Sequence, residues 1–334
     1  YKISDEGYRQ QVYQAATKRW GKAGERSDYL TANFSAVRED GVYCIEYNNV
    51  LSDAFPISSD VLDGKWHNAF KALPGKISST SYDSAEVLGL LVDLWETFRP
   101  ELDFDGNGVS DAVDAIATCV ERMTRENLLA MEMTPDKKFQ YVASLAGAER
   151  VLKDFAPGTS AQAMSLAWQL WGTSGQMISE GKIDAIVQMW LMTRDDTFKK
   201  QITSALNNVL QTREGFCCLL PVCPLLDAKL QKKFDDLSSE YASLYKREAS
   251  DTPYGVPAYG LAMLMEWTLD YYRLWNRFPS ELDPETVIKC LDFLYGNRTY
   301  ADEAFLDSMD VSSLIKFIKI SLAADEIAKY VNTK

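Results

Sequence analysis

Apolar residues recur at helical spacing along most of the chain from about residue 85 onward. The first such segment carries Leu88, Leu91, Trp95 and Phe98 at three- and four-residue intervals, which is typical of one buried helical face. The same period returns in the segments 113–123, 139–151, 164–171, 183–191, 202–209, 226–245, 257–275, 284–295 and 311–331. Strand signals are confined to short pieces such as 41–47. The pattern therefore predicts a chain built almost entirely of helices.

Turn-forming residues separate these helical segments. Pro100, the pair Pro157-Gly158 and the pair Phe278-Pro279 each fall between two periodic stretches. Helices of ordinary length that are joined by short connections pack as antiparallel hairpins. We therefore expect one all-α domain over residues 1–334, built as a closed toroid of helical hairpins.

The N-terminal quarter has a different pattern. Tyr1 to Gly21 predicts a first helix, with Tyr8, Val12 and Trp20 on one stripe. The stretch 22–84 is rich in Ser, Asp, Gly and Asn, and it predicts a long loop region. Because loops of that length in a compact domain usually build a functional site, we expect this region to form part of a cleft.

Composition and charge exclude several classes of protein. With 35 basic and 48 acidic residues the net charge is −13, so the chain lacks the excess of Lys and Arg that binding to a nucleic-acid backbone requires. The hydrophobic fraction of 46% is sufficient for a packed core. No run approaches the ~20 apolar residues of a membrane helix, so we expect no membrane span.

Histidine and cysteine usage limits the chemistry further. The single histidine, His67, excludes a zinc site built from several histidines and leaves carboxylates as the main catalytic candidates. Six cysteines are too few for a disulfide scaffold in a chain of this size, so we expect buried free thiols. They are Cys44, Cys119, Cys217, Cys218, Cys223 and Cys290.

Seven segments between Tyr1 and Asn297 follow the order of motifs in a known family. They are YKISDEGYRQQVYQAATKRWG, DGKWHNAF, DGNGVSDAVDAIATCVERM, FQYVASLAGAERVLKDF, EGKIDAIVQMWLMTRDDTFKKQI, TPYGVP and FLYGN. Together they resemble the catalytic domain of family 9 glycoside hydrolases, the cellulase-type enzymes. The resemblance implies an (α/α)6 toroid with an open cleft for β-linked polysaccharide or oligosaccharide chains. It also implies a secreted or cell-surface protein.

The resemblance places WHNAFK at the family's catalytic loop, G-G-W-x-D-A-G-D. Trp66 and His67 then match, while the two water-activating Asp positions fall on Asn68 and Lys71. An amide has no basic lone pair at neutral pH, and an ammonium group has the wrong charge, so neither can act as the base. A shifted alignment is the alternative, in which a nearby carboxylate supplies the base. The candidates are Asp60, Asp63 and Asp83.

The resemblance also indicates a proton donor and sugar-binding rings. Glu326, with Asn332 six residues further on, resembles the family's general acid, although a plain amphipathic terminal helix explains the same stretch. Trp66, Tyr254 and Tyr259 are the rings expected to stack on sugars, and His67 either joins them or bonds to the backbone. Core packing is expected for the other tryptophans.

An acidic stretch after Pro100 has the ligand spacing of an EF-hand loop. Asp103, Asp105, Asn107, Asp111 and Asp114 occupy positions one, three, five, nine and twelve, with Gly108 and Val109 at six and seven. Oxygen ligands at alternating positions suit calcium. The alternative is a glycine-containing turn whose aspartates stabilise the start of the next helix. No cofactor is expected to be required, and calcium is the one ion that this pattern suggests.

Three hypotheses for function remain open at this point. In the first, the protein keeps a glycan cleft but binds with weak or no hydrolysis, because Asn68 and Lys71 replace the catalytic aspartates. In the second, it is an active inverting polysaccharide hydrolase that uses other carboxylates. In the third, it is a helical scaffold for a protein partner.

Overall fold

Helices form most of the chain that the computed structural model describes, namely residues 1–23, 26–32, 34, 36–57, 65–174, 180–209, 219–237, 240, 269, 272 and 308–332. The strands are β1 (Lys2–Ile3), β2 (Arg9–Gln10), β3 (Lys18–Ala23), β4 (Arg26–Thr31), β5 (Gly41–Tyr43), β6 (Glu46–Tyr47), β7 (Val50–Leu51) and β8 (Phe55–Ile57). The main α-helices are α1 (Lys65–Ser79), α2 (Ser84–Phe98), α3 (Asp111–Arg125), α4 (Pro135–Leu152), α5 (Pro157–Thr173), α6 (Glu180–Thr193), α7 (Asp196–Val209) and α8 (Val311–Asn332).

The N-terminal residues form strands, so the helix predicted over Tyr1–Gly21 is wrong. Antiparallel pairing gives a four-stranded sheet in the order β2-β1-β5-β8, while β3 pairs with β4 and β6 with β7. Gly7 has φ +82°, which interrupts any helix at this point. Tyr8 and Val12 of the proposed stripe are exposed. An amphipathic helix is stabilised mainly by burying its apolar face, and that burial is missing here.

The region 22–84 contains more regular structure than a long loop. The strand signal at 41–47 is confirmed by β5 and β6. The main departure is α1, whose buried residues Phe70, Leu73 and Ile77 recur at three- and four-residue spacing. Pro74 lies inside this helix, and the helix forms despite it.

The helices pack in two layers. α8, α2, α4 and α6 contact one another in that order and form an inner row. α1, α3 and α5 contact one another outside it, and the pairs α1 with α8, α2 with α3, α4 with α5 and α6 with α7 connect the two layers. Because the C-terminal helix α8 packs between α1 and α2, the last described helix lies beside the first ones, as in a closed ring.

Sequence explains which helices lie inside. α4 is buried on most sides because small residues separate its larger apolar ones, as in the run Ala146, Gly147 and Ala148. A Cβ atom on Gly147 would approach Val92 Cγ1 to 2.6 Å, so glycine permits the close contact between α4 and α2. α3 buries one apolar face only, as expected for an outer helix.

The inner helices run parallel and begin at one end of the ring. Lys316 of α8 pairs with Glu86 of α2. Lys319, further along α8, pairs with Asp93, further along α2, so the two helices run in the same direction. The start of α4 meets the start of α2, because Lys137 pairs with Asp83. Asp136 in α4 likewise lies against Gly181 in α6, where a Cβ atom would come within 2.8 Å of Asp136 Oδ1. We call this end of the ring the Asp83 end.

Most of the periodic segments are confirmed as helices. α2 to α7 and α8 lie where the apolar period predicted them, and residues 228–237 are helical within the segment 226–245. The segments 257–275 and 284–295 lie almost wholly outside the described residues. Cys44, Cys119 and Cys223 are buried free thiols, as expected, and the other three cysteines are outside the described part. None of the helices in that part is long and apolar enough to cross a membrane.

Candidate functional site

Asp83 sits directly before α2, at the start of an inner helix. Its Oδ1 accepts hydrogen bonds from the backbone N–H groups of Ala85 (3.1 Å) and Glu86 (3.3 Å), so it caps the helix. Its Oδ2 accepts a bond from Lys137 Nζ. Partial burial raises the pKa of Asp83, but the bonds from Lys137 and from the two backbone groups outweigh it and hold that pKa below the usual value. The carboxylate is therefore fixed in its charged form.

A groove of about 740 Å³ lies between the C-terminal ends of α1 and α3, and its lining extends along the chain to Ser81, two residues before Asp83. Arg122 joins the groove to Tyr82, the residue before Asp83. Its guanidinium carbon lies 4.4 Å from the Tyr82 ring centroid, and its Nη1 donates to Thr80 O at 3.1 Å. The lining is rich in hydroxyl groups and consists of Ile77, Ser78, Ser79, Thr80, Ser81, Thr118, Arg122, Arg125 and Glu126. Such a surface can hydrogen-bond a polyhydroxylated ligand.

Asp310 is a second carboxylate at the Asp83 end, at the start of α8. It accepts bonds from the backbone N–H of Ser313 (2.8 Å) and from Ser313 Oγ (2.8 Å). The backbone bond from Ser313 lowers its pKa, with partial burial acting in the opposite direction. Both caps at this end are therefore held as carboxylates.

The residues assigned to the catalytic loop lie on a helix instead. Trp66, His67, Asn68 and Lys71 all belong to α1. Since Lys76, near the end of α1, donates to Met309 O just before α8 (2.7 Å), the start of α1 lies at the end of the ring opposite to Asp83. The placement of these four residues in a loop is wrong.

Trp66 packs as part of that helix. Its ring is partly buried against the core, with edge contacts to His67 (centroids 4.3 Å apart) and Phe70 (6.0 Å). Asn68, Lys71 and His67 are exposed. The expectation of core packing fails for a different tryptophan, Trp168, which is 42% exposed on α5.

Glu326 is far from Asp83. It lies fifteen residues into α8, and at ~1.5 Å rise per residue this is about 22 Å from the start of the helix. An inverting glycosidase holds its two carboxyl groups about 6.5–9.5 Å apart. Asp83 and Glu326 therefore do not form such a pair. The remaining predicted residues, Asp60, Asp63, Tyr254 and Tyr259, lie outside the described residues.

The acidic stretch forms an ordered loop before α3, at the end opposite to Asp83. Asp103 accepts backbone bonds from Gly106 (2.7 Å) and Gly108 (2.8 Å), and Asn107 Nδ2 bonds Asp114 Oδ2 at 2.8 Å. Gly106 and Gly108 have φ +72° and +85°, which glycine adopts without strain. The bond from Gly108 lowers the pKa of Asp103.

Oxygen atoms of Asp103, Asp105 and Asp111 lie within 4.8 Å of one another. Asp111 is 4% exposed, and burial, followed by the charges of the neighbouring aspartates, raises its pKa against the bond it accepts from Phe104 N–H. Ser110 caps α3 through Ala112 N–H (3.3 Å). The loop is thus a structural cap, and its carboxylates also have the proximity that calcium needs.

Charged residues from all four inner helices meet inside the ring. Arg150 of α4 bonds both carboxylate oxygens of Glu96 (2.7 and 2.9 Å) and Gln188 Oε1 (2.6 Å). Lys319 of α8, whose side chain is 3% exposed, pairs with Asp93. Burial, together with the nearby charge of Asp93, raises the pKa of Asp184 on α6 to about 6. Because acidic and basic groups pair here, we interpret this cluster as structural.

Several site residues were missed by reasoning from sequence. Lys137 and Arg122 meet Asp83 and Tyr82 only through tertiary packing, which no local pattern reveals. Asp310 could have been predicted from sequence as a helix cap, because an aspartate followed by Ser313 and then an apolar run is typical of a helix start.

Known structures share this fold. The chain aligns with a family 9 glycoside hydrolase of Bacteroides ovatus at TM-score 0.69 and 12% identity, over 96% of this chain and 93% of that one. It aligns with a metagenome-derived family 9 endoglucanase at TM-score 0.66 and 14% identity, over 91% of this chain and 77% of that one. It aligns with a single mutant of a thermostable endoglucanase from Alicyclobacillus acidocaldarius at TM-score 0.64 and 12% identity, over 91% of this chain and 76% of that one. No protein-family model and no curated protein matches the sequence.

The likeness confirms the expected fold class, the all-α (α/α)6-type toroid, and with it the structural resemblance to family 9 hydrolases. In this chain short strands precede the helices. At such low identity the likeness shows the fold alone, and function has to be argued from the site.

Proposed function

We propose that this protein binds a β-linked polysaccharide at the Asp83 end of the toroid and hydrolyses it weakly or not at all. The observation that carries the proposal is the hydroxyl-rich groove whose lining extends to Ser81, two residues before Asp83, a carboxylate held in its charged form by Lys137. The endoglucanase fold supports the choice of ligand class. Secretion or display at the cell surface belongs to the same proposal.

The proposal of weak hydrolysis rests on the protonation of the site. Inversion needs a carboxylic acid that still holds its proton near neutral pH, opposite a carboxylate that activates water. Hydrogen bonds lower the pKa of both Asp83 and Asp310, so neither cap is suited to donate a proton. Glu326 lies too far away. Asn68 and Lys71, which first suggested a degenerate site, play no part in this argument, because they lie on α1.

One observation favours active hydrolysis as the second candidate. α2 and α8 are neighbouring parallel helices, and packed helix axes lie about 8–10 Å apart. Asp83 and Asp310 cap these two helices at the same end, so their separation is comparable to that of an inverting pair. In this alternative Asp83 is the base, and Asp83→Asn abolishes activity.

The binding proposal is tested with Arg122, which lines the groove and contacts Tyr82. Titration calorimetry with β-1,4-gluco-oligosaccharides should show binding that Arg122→Gln weakens about ten- to a hundredfold, since a charge-assisted hydrogen bond contributes ~1.5–3 kcal/mol. Arg38→Gln, a change at an exposed arginine outside the groove, is the matched control. Binding that is unaffected by Arg122→Gln, or no binding of any β-glucan, contradicts the proposal.

A further inference from the structure

A second concave surface lies in the N-terminal strand region, apart from the toroid site. Its volume is about 770 Å³, within the ~300–1,000 Å³ typical of small-ligand sites. Six aromatic rings and four side-chain amides contribute to its lining, among them Tyr13, Phe34, Tyr47, Gln11, Asn48 and Asn49. Tyr13 and Tyr47 are 42% and 46% exposed, so their rings are available to a ligand. We call this surface the tyrosine groove.

A tight hairpin fixes one wall of the tyrosine groove. β6 and β7 pair through Tyr47 and Val50, so Asn48 and Asn49 form a two-residue turn. Both have positive φ (49° and 60°), as a type I′ turn requires, and asparagine tolerates that conformation well. Ile45 N–H donates to Ser52 Oγ at 2.9 Å at the base of the hairpin. The backbone that carries Tyr47, Asn48 and Asn49 is therefore fixed in one conformation.

The groove is nearly neutral, although the chain carries a net charge of −13. Glu46 is the one charged side chain among the described residues that line it. Its carboxylate accepts a hydrogen bond from the Tyr1 hydroxyl, which raises the pKa of Tyr1. An ionic ligand would find little charge to pair with here, so the lining selects for a neutral ligand.

Flat rings beside amides match the chemistry of a sugar. The apolar face of a pyranose packs on an aromatic ring, and an amide can both donate to and accept from hydroxyl groups. We propose that the tyrosine groove is a second glycan-binding site that takes a neutral oligosaccharide segment. The choice of a β-linked glucan as the probe rests on the proposed function, whereas the site itself does not.

Hydrogen exchange of the whole protein, with and without β-1,4-linked glucohexaose, tests this inference. We expect slower exchange of peptides covering 41–52 when the sugar is present. We expect Tyr47→Ala and Tyr13→Ala to weaken the affinity measured from that protection about three- to tenfold, the loss expected for one ring contact. Tyr8→Ala is the matched control, because Tyr8 is 76% exposed and does not line the groove.

Different outcomes of this experiment refute the tyrosine groove and the toroid site. Protection at 41–52 without protection at 76–86 supports the tyrosine groove and contradicts the toroid site. Protection at 76–86 alone, or ring variants that bind like Tyr8→Ala, overturns the tyrosine groove. Self-association that buries 41–52 in the absence of sugar would show that a second protein copy is the occupant, and it also overturns the inference.

Discussion

Replacing Asp184 by asparagine should stabilise the protein at neutral pH. Asp184 lies on the inner helix α6, where its pKa is raised to about 6, chiefly by burial and also by the nearby charge of Asp93, while Gln188 and Arg150 act in the opposite direction. Arg150 is already bonded to Glu96 and Gln188, so it compensates only part of the cost of charging Asp184. Asparagine has nearly the same shape and carries no charge.

The size of the effect follows from the shift in pKa. Relative to the ordinary value of 3.8, a pKa of about 6 is a difference of ~2 units, or about 3 kcal/mol at ~1.4 kcal/mol per unit. Asp184 is only partly buried, so solvent screening reduces this to about 1–3 kcal/mol. Between pH 4 and 6 the folded protein binds more protons at this site than the unfolded chain does. The stability of the parent protein therefore falls as pH rises through that window.

Chemical denaturation from pH 4 to pH 8 measures this difference. At pH 7 Asp184→Asn should be more stable than the parent by about 1–3 kcal/mol, and the advantage should disappear near pH 4. Asp154→Asn, at an exposed aspartate, is the control and should change stability little. A variant that is less stable than the parent at pH 7, or a difference that does not depend on pH, refutes the reasoning.

Three further predictions concern other parts of the structure. If the loop before α3 binds calcium, the ion should raise the melting temperature of the parent but not of Asp103→Asn; equal transitions with calcium and with chelator contradict the site. Lys137→Met should raise the pKa of Asp83, which carboxyl NMR titration measures; an unchanged titration contradicts the role of Lys137. The same variant should lower the free energy of unfolding at pH 7 by only ~0.2–1 kcal/mol, because the ion pair is partly exposed. Cys119 should stay unreactive to a thiol reagent in the folded protein, because burial raises its pKa to about 11; rapid labelling without denaturant would show that it is accessible.

Helices of the toroid could be predicted from sequence because their burial is periodic. α2, with Leu88 and Leu91 at the core, shows the period that packing demands. The N-terminal prediction failed because a stripe such as Tyr8 and Val12 has the period but no surface to pack against. α1 was missed because Pro74 and the surrounding polar residues resemble a loop, although tertiary contacts stabilise a helix.

The candidate site was harder to predict than the fold. Asp83 was one of three alternatives, and only the parallel arrangement of α2 and α8 shows that it shares an end with Asp310 rather than with Glu326. The same arrangement removes Asn68 and Lys71 from consideration, because α1 begins at the opposite end. Such relations depend on how helices pack across long sequence separations, which motif spacing does not encode.

Release of reducing ends under saturating binding tests the central claim most directly. The unaltered protein is titrated with β-1,4-glucohexaose until binding is complete, and the same sample is then assayed for product beside an active family 9 endoglucanase. Since a positioned acid or base contributes ~10²–10⁴-fold, we predict saturable binding with turnover at least about a hundredfold below that enzyme. Turnover comparable to that of the enzyme, lost in Asp83→Asn, would contradict the account and establish the hydrolase instead.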